Sequence, residues 1–426
     1  MSDSRSAHGK TDPPATHSSQ ISNQKERQTG RHRLGLLAVA YFAAALLFDR
    51  LATSIVIGVL AYLFYEIIVR RNRKVIALTI SAAASLAAFE YAGRYVLRAQ
   101  FGRYFDDGAD HRLKPNAELG INSDGIRCPV EHDDFTDETF NIIFLGDSFT
   151  YGSLLAFDET MPAQVERLLR ERYPQLASRT INFGWISSSP APSLRLLKDI
   201  GAKYKPDLVI QCLDVTDFHD DLWILRKVGY WDRSPTAFLL ARLGQLADIN
   251  IHGMLQELYV SFRLNRFARS RPGTDRPIPA HRFFVVLQPL EQSLPDMSET
   301  EHQLRKTHRY CRDVLRAEYI LVMLPRHFQY NARESPRNWE KGSYPLLGPY
   351  VHEPFKWLDA LRPRVDFPCH SLLEDFERTN VFPTCFEHDP HWNADGARVA
   401  AEGILRILRE ESVLKDDANQ TATLPQ

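Results

Sequence analysis

Read for hydrophobic and polar positions alone, the chain falls into three parts. Residues 1–30 are rich in Ser, Thr, Gln, His and charge, with Pro13-Pro14 and no periodic apolar positions. Such a segment cannot bury enough surface to offset the entropy of ordering, so residues 1–32 are expected to be a disordered tail. Three apolar stretches follow, Leu34 to Phe48, Leu51 to Val69 and Val75 to about Leu97. A helix needs about 20 apolar residues to cross the hydrocarbon core. The second stretch meets this. The first is short, and the third carries Glu90 and Arg94 near its end, where long side chains can reach the interface. With no polar face in any of them, residues 33–98 are expected to cross a membrane as about three helices.

From residue 101 the pattern changes to short apolar runs alternating with helical periodicity. NIIFLG (Asn141–Gly146), TINFG (Thr180–Gly184), DLVIQCL (Asp207–Leu213), FFVVL (Phe283–Leu287) and YILVML (Tyr319–Leu324) read as strands. Helices are expected over Met161–Tyr173, with Pro162 in the first turn, and over Pro192–Lys203, Glu299–Ala317 and Ala394–Glu411. Strands apolar throughout and separated by amphipathic helices imply a parallel sheet covered on both faces, hence a three-layer α/β/α fold. Ligands in such sheets bind at the carboxyl ends of the strands. The expected domain runs over 101–412, with an Arg- and aromatic-containing insertion at 220–281 and a flexible tail at 413–426.

Charge adds a direction to the membrane reading. Lys25, Arg27, Arg31 and Arg33 precede the first apolar stretch, and Arg70, Arg71, Arg73 and Lys74 separate the second from the third. Only Asp49 and Arg50 lie between the first two. With basic loops on the cytoplasmic side, everything after residue 100 emerges on the periplasmic or extracytoplasmic face of the inner (plasma) membrane. A signal peptide at the first stretch, or three buried helices of a bundle, are the competing readings. Over the whole chain, 52 Lys and Arg nearly balance 53 Asp and Glu, so no global field points to a nucleic-acid partner.

Five cysteines include no Cys-x-x-Cys pair, and no metal pattern emerges from them. Cys212 and Cys311 read as small core residues, while Cys369 and Cys385 flank one segment and are candidates for a disulfide in an oxidising compartment. Chemistry points elsewhere. Gly146-Asp147-Ser148 follows the first strand directly, so the serine hydroxyl would stand above the sheet with its N–H free to face an oxyanion. Near the other end, Asp389-Pro390-His391-Trp392-Asn393 precedes the last helix, with Asn393 as its cap. A serine needs a base, and the base needs an acid to fix its tautomer. Asp389 and His391, two apart on an extended loop, suit those roles with Ser148 as nucleophile. No third ligand at metal spacing accompanies them. Upstream, Asn122-Ser123-Asp124-Gly125-Ile126-Arg127 reads as an Asx-type turn with Gly125 at positive φ.

GDSFTYG together with DPHWNADG resembles the SGNH (GDSL-type) hydrolase superfamily over roughly Lys114 to Arg409. The resemblance implies a flavodoxin-like sheet, Ser148 as nucleophile and oxyanion donor, His391 as base and Asp389 as acid. It also places a second oxyanion donor at Gly184. The third block departs from the pattern, with Thr216 in Asp214-Val215-Thr216-Asp217 where the asparagine donor is expected. Losing one such donor costs about 2.7–4 kcal/mol of transition-state stabilisation. Tyr151, Trp185, Asp217 and Trp392 lie beside the motifs as candidate substrate contacts. The Asn-x-x-Gly-x-Arg segment is similar to one found ahead of GDS in membrane-linked members. The implied activity is hydrolysis of an O-acyl, chiefly O-acetyl, ester of an envelope glycan or lipid, without metal or organic cofactor. The same triad could instead transfer the acyl group to a sugar hydroxyl, alongside a membrane-bound acyltransferase partner, or the domain could bind glycan without turnover.

Overall fold

Apolar residues at successive positions of a strand must all find cover, and the first strand shows how. In β1 (Phe140–Gly146) every residue from Asn141 onward is buried. Ile143 and Leu145 point into one hydrophobic cluster and Ile142 and Phe144 into another, the period-2 signature of a sheet covered on both faces. The computed structural model describes residues 58–59, 61–82, 84–85, 112–113, 115–224 and 277–414.

Five strands, β1, β2 (Ser178–Gly184), β3 (Leu208–Leu213), β4 (Glu318–Met323) and β5 (Cys369–Ser371), form one parallel sheet in the order β2-β1-β3-β4-β5. The helices are α1 (Ser148–Tyr151), α2 (Met161–Arg172), α3 (Pro190–Ile200), α4 (Leu290–Tyr310), α5 (His327–Tyr330), α6 (Glu353–Leu361), α7 (Leu373–Arg378) and α8 (Ala394–Glu410). One face of the sheet is covered by Val165, Leu168 and Leu169 of α2 and Ile404, Leu405 and Leu408 of α8. The other is covered by Leu196 and Ile200 of α3, Met297 and Leu304 of α4 and Trp357 and Leu361 of α6. The expected three-layer α/β/α sheet is therefore present.

The chain leaves β1 toward β2 on one side and later crosses back to β3 on the other. The carboxyl ends of β1 and β3 thus form a topological switch point, where a crevice opens in folds of this strand order. Gly146 pairs with Gly184 across the register, which brings the ends of β1 and β2 level.

Three expectations change. FFVVL is not a strand. Phe284–Val286 is a single 3-10 turn, buried because it plugs the face beneath α4 and α6, so its apolar run records burial rather than extension. The helix expected from Glu299 begins at Leu290 and contains Pro295, with Ser293, Asp296, Met297 and Thr300 buried along it. Packing there outweighs the lost proline donor. Finally, Cys369 and Cys385 form no disulfide: all five cysteines are free. Cys369 belongs to the cluster on the α3/α4/α6 face and Cys385 to the cluster on the α2/α8 face, so the sheet separates them.

The insertion expected at 220–281 lies mostly outside the described residues. Its two ends are tied together, because the Arg282 guanidinium donates to both Asp220 oxygens, Nε lying 3.0 and 3.2 Å from them. The chain divides into two compact units, Met1–Phe89 and Glu90–Gln426, the second holding the sheet. Within the first the chain turns at Arg70–Asn72, where Arg70 (3.1 Å) and Asn72 (2.9 Å) donate to the buried Glu66 carboxylate. Among the described residues no helix is long and apolar enough to cross a membrane. The first apolar stretch and much of the other two lie outside them, as do the two tails up to residue 32 and from 415.

The Asx-type turn is present. Ile126 N–H donates to Asn122 Oδ1 (3.1 Å), Gly125 N–H to Asn122 O (3.0 Å), and Gly125 sits at φ +76°. The turn delivers Arg127 beneath the site, where Nη1 donates to the carbonyls of Tyr151 (2.5 Å) and Gly152 (2.8 Å) and Nη2 to that of Leu155 (2.6 Å). A Cβ at Gly125 would lie 2.5 Å from Leu113 O. Gly125→Ala is therefore expected to cost about 2–3 kcal/mol, combining positive-φ strain with the clash. Urea denaturation with an unchanged m-value would read it, and a loss below about 0.5 kcal/mol would contradict the close approach.

Candidate active site

The serine is presented by a very short helix. β1 ends at Gly146, Asp147 takes an extended conformation and caps α1 by accepting from Phe149 N–H (2.9 Å), and Ser148 is the first helical residue. Its N–H has no acceptor among the described residues, as expected for the first turn of a helix. β2 ends against this turn. A Cβ on Gly184 would lie 2.3 Å from Tyr151 N, so only glycine lets the two backbones meet.

The partners come from the far end of the chain. His391 Nε2 lies 2.7 Å from Ser148 Oγ, and His391 Nδ1 is hydrogen-bonded to Asp389 Oδ1. Because Nδ1 faces a carboxylate, it carries the proton, which leaves the Nε2 lone pair to accept from the serine hydroxyl. Asp389 also accepts from His391 N–H (3.0 Å) and from the indole N–H of Trp339 (2.9 Å). Burial alone would raise the Asp389 carboxyl, but the His391 contacts and the Trp339 donor outweigh it and hold it at about 2. It is the permanent anion that an imidazolium needs.

The loop carrying Asp389 and His391 is held from the segment after β4. The buried Glu334 carboxylate accepts from Thr384 N–H (2.8 Å), Thr384 Oγ1 (3.0 Å) and Cys385 N–H (3.2 Å). Ser335 Oγ donates to Asp389 O (2.7 Å), and Asn393 caps α8 by accepting from Gly396 N–H (2.9 Å). Phe149 packs edge-on against Trp392 and lies 4.9 Å from the His391 ring.

Several expected contacts are placed otherwise. Gly184 N–H donates to Asn182 Oδ1 (2.8 Å), so it is not aimed at an oxyanion, and the glycine serves backbone approach instead. Thr216 Oγ1 donates to Asp214 Oδ2 (2.6 Å), as does its N–H (3.0 Å). A buried carboxylate two residues back is the stronger acceptor and takes both donors. Of the three expected oxyanion donors, Ser148 N–H alone is unengaged. Tyr151, Asp217 and Trp392 are buried, at 4%, 0% and 2% exposure. Trp185 is half-buried against Tyr151, Leu113 and Ile121.

Under the nucleophile lies a polar cluster that sequence reading missed. Asp147, Asp214 and Asp217 are buried with carboxylate oxygens within 4.8 Å of one another, the group among the described residues that comes nearest to a metal-ligand set. Asp214 is already engaged by the fully buried Arg326, whose Nε and Nη2 each lie 2.8 Å from one of its oxygens, while Nη1 donates to Glu340 (2.6 Å). Burial pushes the Asp147 carboxyl up to about 7, with Asp214 adding repulsion. Asp217 is likewise raised, by burial and by both neighbours. Asp214 is held at about 2 because Arg326 outweighs its burial. The one legible signal was a basic residue, Arg326, two positions after the apolar run Tyr319–Leu324.

No family model matches the chain, and no curated protein does. Among solved structures, it is similar to a G-D-S-L family protein from Desulfitobacterium hafniense DCB-2, at 13% identity and TM-score 0.34 over 63% of this chain and 100% of that one. It is also similar to the acetyl xylan esterase AlAXEase, at 11% identity and TM-score 0.34 over 63% and 100%. A third is the acetylxylan esterase Axe2 from Geobacillus stearothermophilus, at 15% identity and TM-score 0.33 over 63% and 93%.

Proposed function

We propose that this chain is a serine esterase of SGNH type acting on an O-acyl ester. One observation carries the reading: His391 Nε2 lies 2.7 Å from Ser148 Oγ while its Nδ1 is fixed by Asp389. A hydroxyl, a base in the required tautomer and an oriented carboxylate are thus aligned at the carboxyl edge of the sheet. Ser148 Oγ forms a bond to the acyl carbon as its proton passes to Nε2. The tetrahedral intermediate, its oxyanion facing Ser148 N–H, expels the alkoxide, which takes the proton from Nε2. Water then attacks the acyl-serine, giving its proton to Nε2, and the carboxylic acid leaves as Ser148 regains a proton. With Gly184 and Thr216 engaged elsewhere, fewer donors face the oxyanion than the resemblance implied, so slow turnover is expected.

We further place the reaction at the extracytoplasmic face of a membrane, on an acylated envelope glycan or lipid. The support is the apolar pattern of residues 34–97, its basic flanks, and the exposure of Tyr62, Phe64, Ile68 and Leu78, each over half exposed. A membrane-impermeant fluorophosphonate applied to intact cells tests both parts. Labelling of wild type and not of Ser148→Ala is expected. An unlabelled wild type that is labelled in lysed cells would remove the topology, and no labelling in either would remove the nucleophile.

A further inference from the structure

Trp339 is the large aromatic that the fold leaves most open beside the triad, at 67% exposure, yet its backbone is not loose. The residues on both sides are buried anchors. Asn338 accepts from Tyr344 Oη (3.1 Å) and donates to Ser335 O (2.6 Å), and Glu340 accepts from Arg326 (2.6 Å). An exposed indole fixed in this way is a rigid wall with an apolar face and a polar edge. The edge is spent on Asp389, which the N–H holds at 2.9 Å. That edge is linked to Ser148 Oγ through the Asp389 carboxylate and the His391 imidazole. Charged side chains flank the indole: Arg337 pairs with Glu387, and His388 precedes Asp389, all three more than half exposed. A saccharide, with apolar C–H faces and hydroxyl edges, matches an indole rimmed by charges.

We infer that Trp339 is a specificity-determining residue that stacks the saccharide ring of the acylated substrate while its N–H positions Asp389. The inference rests on the esterase reading above and names the alcohol part of its substrate.

The two roles separate by substitution. Phenylalanine keeps a ring and loses the N–H, whereas alanine loses both. The full-chain protein is assayed on ethyl acetate, which has no ring, and on an O-acetylated hexose disaccharide. Both variants are expected to lower kcat several-fold on both esters, because Asp389 loses a donor. Only Trp339→Ala is expected to raise KM, by about tenfold, and only for the disaccharide. An equal rise for both esters, or none for the disaccharide, would overturn the stacking role. An unchanged kcat in Trp339→Phe would overturn the positioning role. Calorimetric titration of the disaccharide into Ser148→Ala keeps this distinct from failure of the esterase reading. Binding that survives adding Trp339→Phe but not Trp339→Ala supports the wall even if Ser148 proves not to be the nucleophile. Binding indifferent to both removes it.

Discussion

Ser148→Ala is expected to lower kcat on a simple acetyl ester by about 10⁵–10⁶-fold, and His391→Ala by a similar factor. The double variant should be no slower than either single one, because the serine and its base act as a unit and the second loss removes nothing further. Asp389→Asn should cost about 10⁴-fold for a different reason. The carboxylate that fixes the Nδ1 proton is replaced by an amide whose NH₂ can face Nδ1, which favours the tautomer with its proton on Nε2, where the serine must be accepted. All three residues lie in a framework set by other contacts: Asp147 caps α1, Glu334 holds Thr384 and Cys385, and Asn393 caps α8. The variants should therefore keep the wild-type melting temperature within a few degrees. Initial-rate assays beside thermal denaturation read both quantities. A Ser148→Ala protein retaining a tenth of the wild-type rate would end the nucleophile assignment.

What could be read from the sequence follows from where the physics is local. Strands β1, β3 and β4 announce themselves because a doubly covered strand is apolar at nearly every position, β2 by Ile181 and Phe183 alternating ahead of Gly184, and α2 and α8 because their apolar faces repeat at helical spacing. Ser148, Asp389 and His391 are legible for the same reason, each standing in a turn directly attached to such an element. The roles of Gly184 and Thr216 were not. A family pattern says which residue type occupies a position, but hydrogen bonds are settled by which acceptor is nearest. Asn182 Oδ1 and Asp214 Oδ2 stand within hydrogen-bond distance of those donors and take them. β5 is only three residues long and half-polar, so no periodicity could mark it. Phe284–Val286 shows the converse, since an apolar run promises burial and leaves the backbone conformation open. Trp339, Glu334 and Arg326 reach the site across long sequence separations, and only the sheet order brings β4 and its following segment beside the loop at 384–391.

Arg326→Leu is expected to be the most damaging substitution for stability, at about 3–5 kcal/mol. Its guanidinium is 3% exposed and satisfies both oxygens of Asp214 and one of Glu340, themselves 0% and 5% exposed. Leucine would leave two buried carboxylates without a cation, in a cluster already holding Asp147 and Asp217. Against a total stability of about 5–15 kcal/mol, that brings the domain close to unfolding. Lysine should not restore it, because a point charge cannot span Asp214 and Glu340 as the planar fork does. The loss should also depend on pH in a definite direction. In the wild type the Asp214 carboxyl is held at about 2, below its unfolded value of 3.8, so its contribution is present above pH 4 and fades as pH falls toward 2. Without Arg326 the same carboxyl is raised by burial above 3.8, so it opposes folding increasingly as pH rises. The stability gap between wild type and Arg326→Leu should therefore be widest near pH 7 and shrink on acidification toward pH 4. Urea denaturation midpoints at those two pH values measure it. A gap that stays constant would mean that Arg326 contributes packing over Phe149, whose ring lies 5.1 Å beneath the guanidinium, rather than charge.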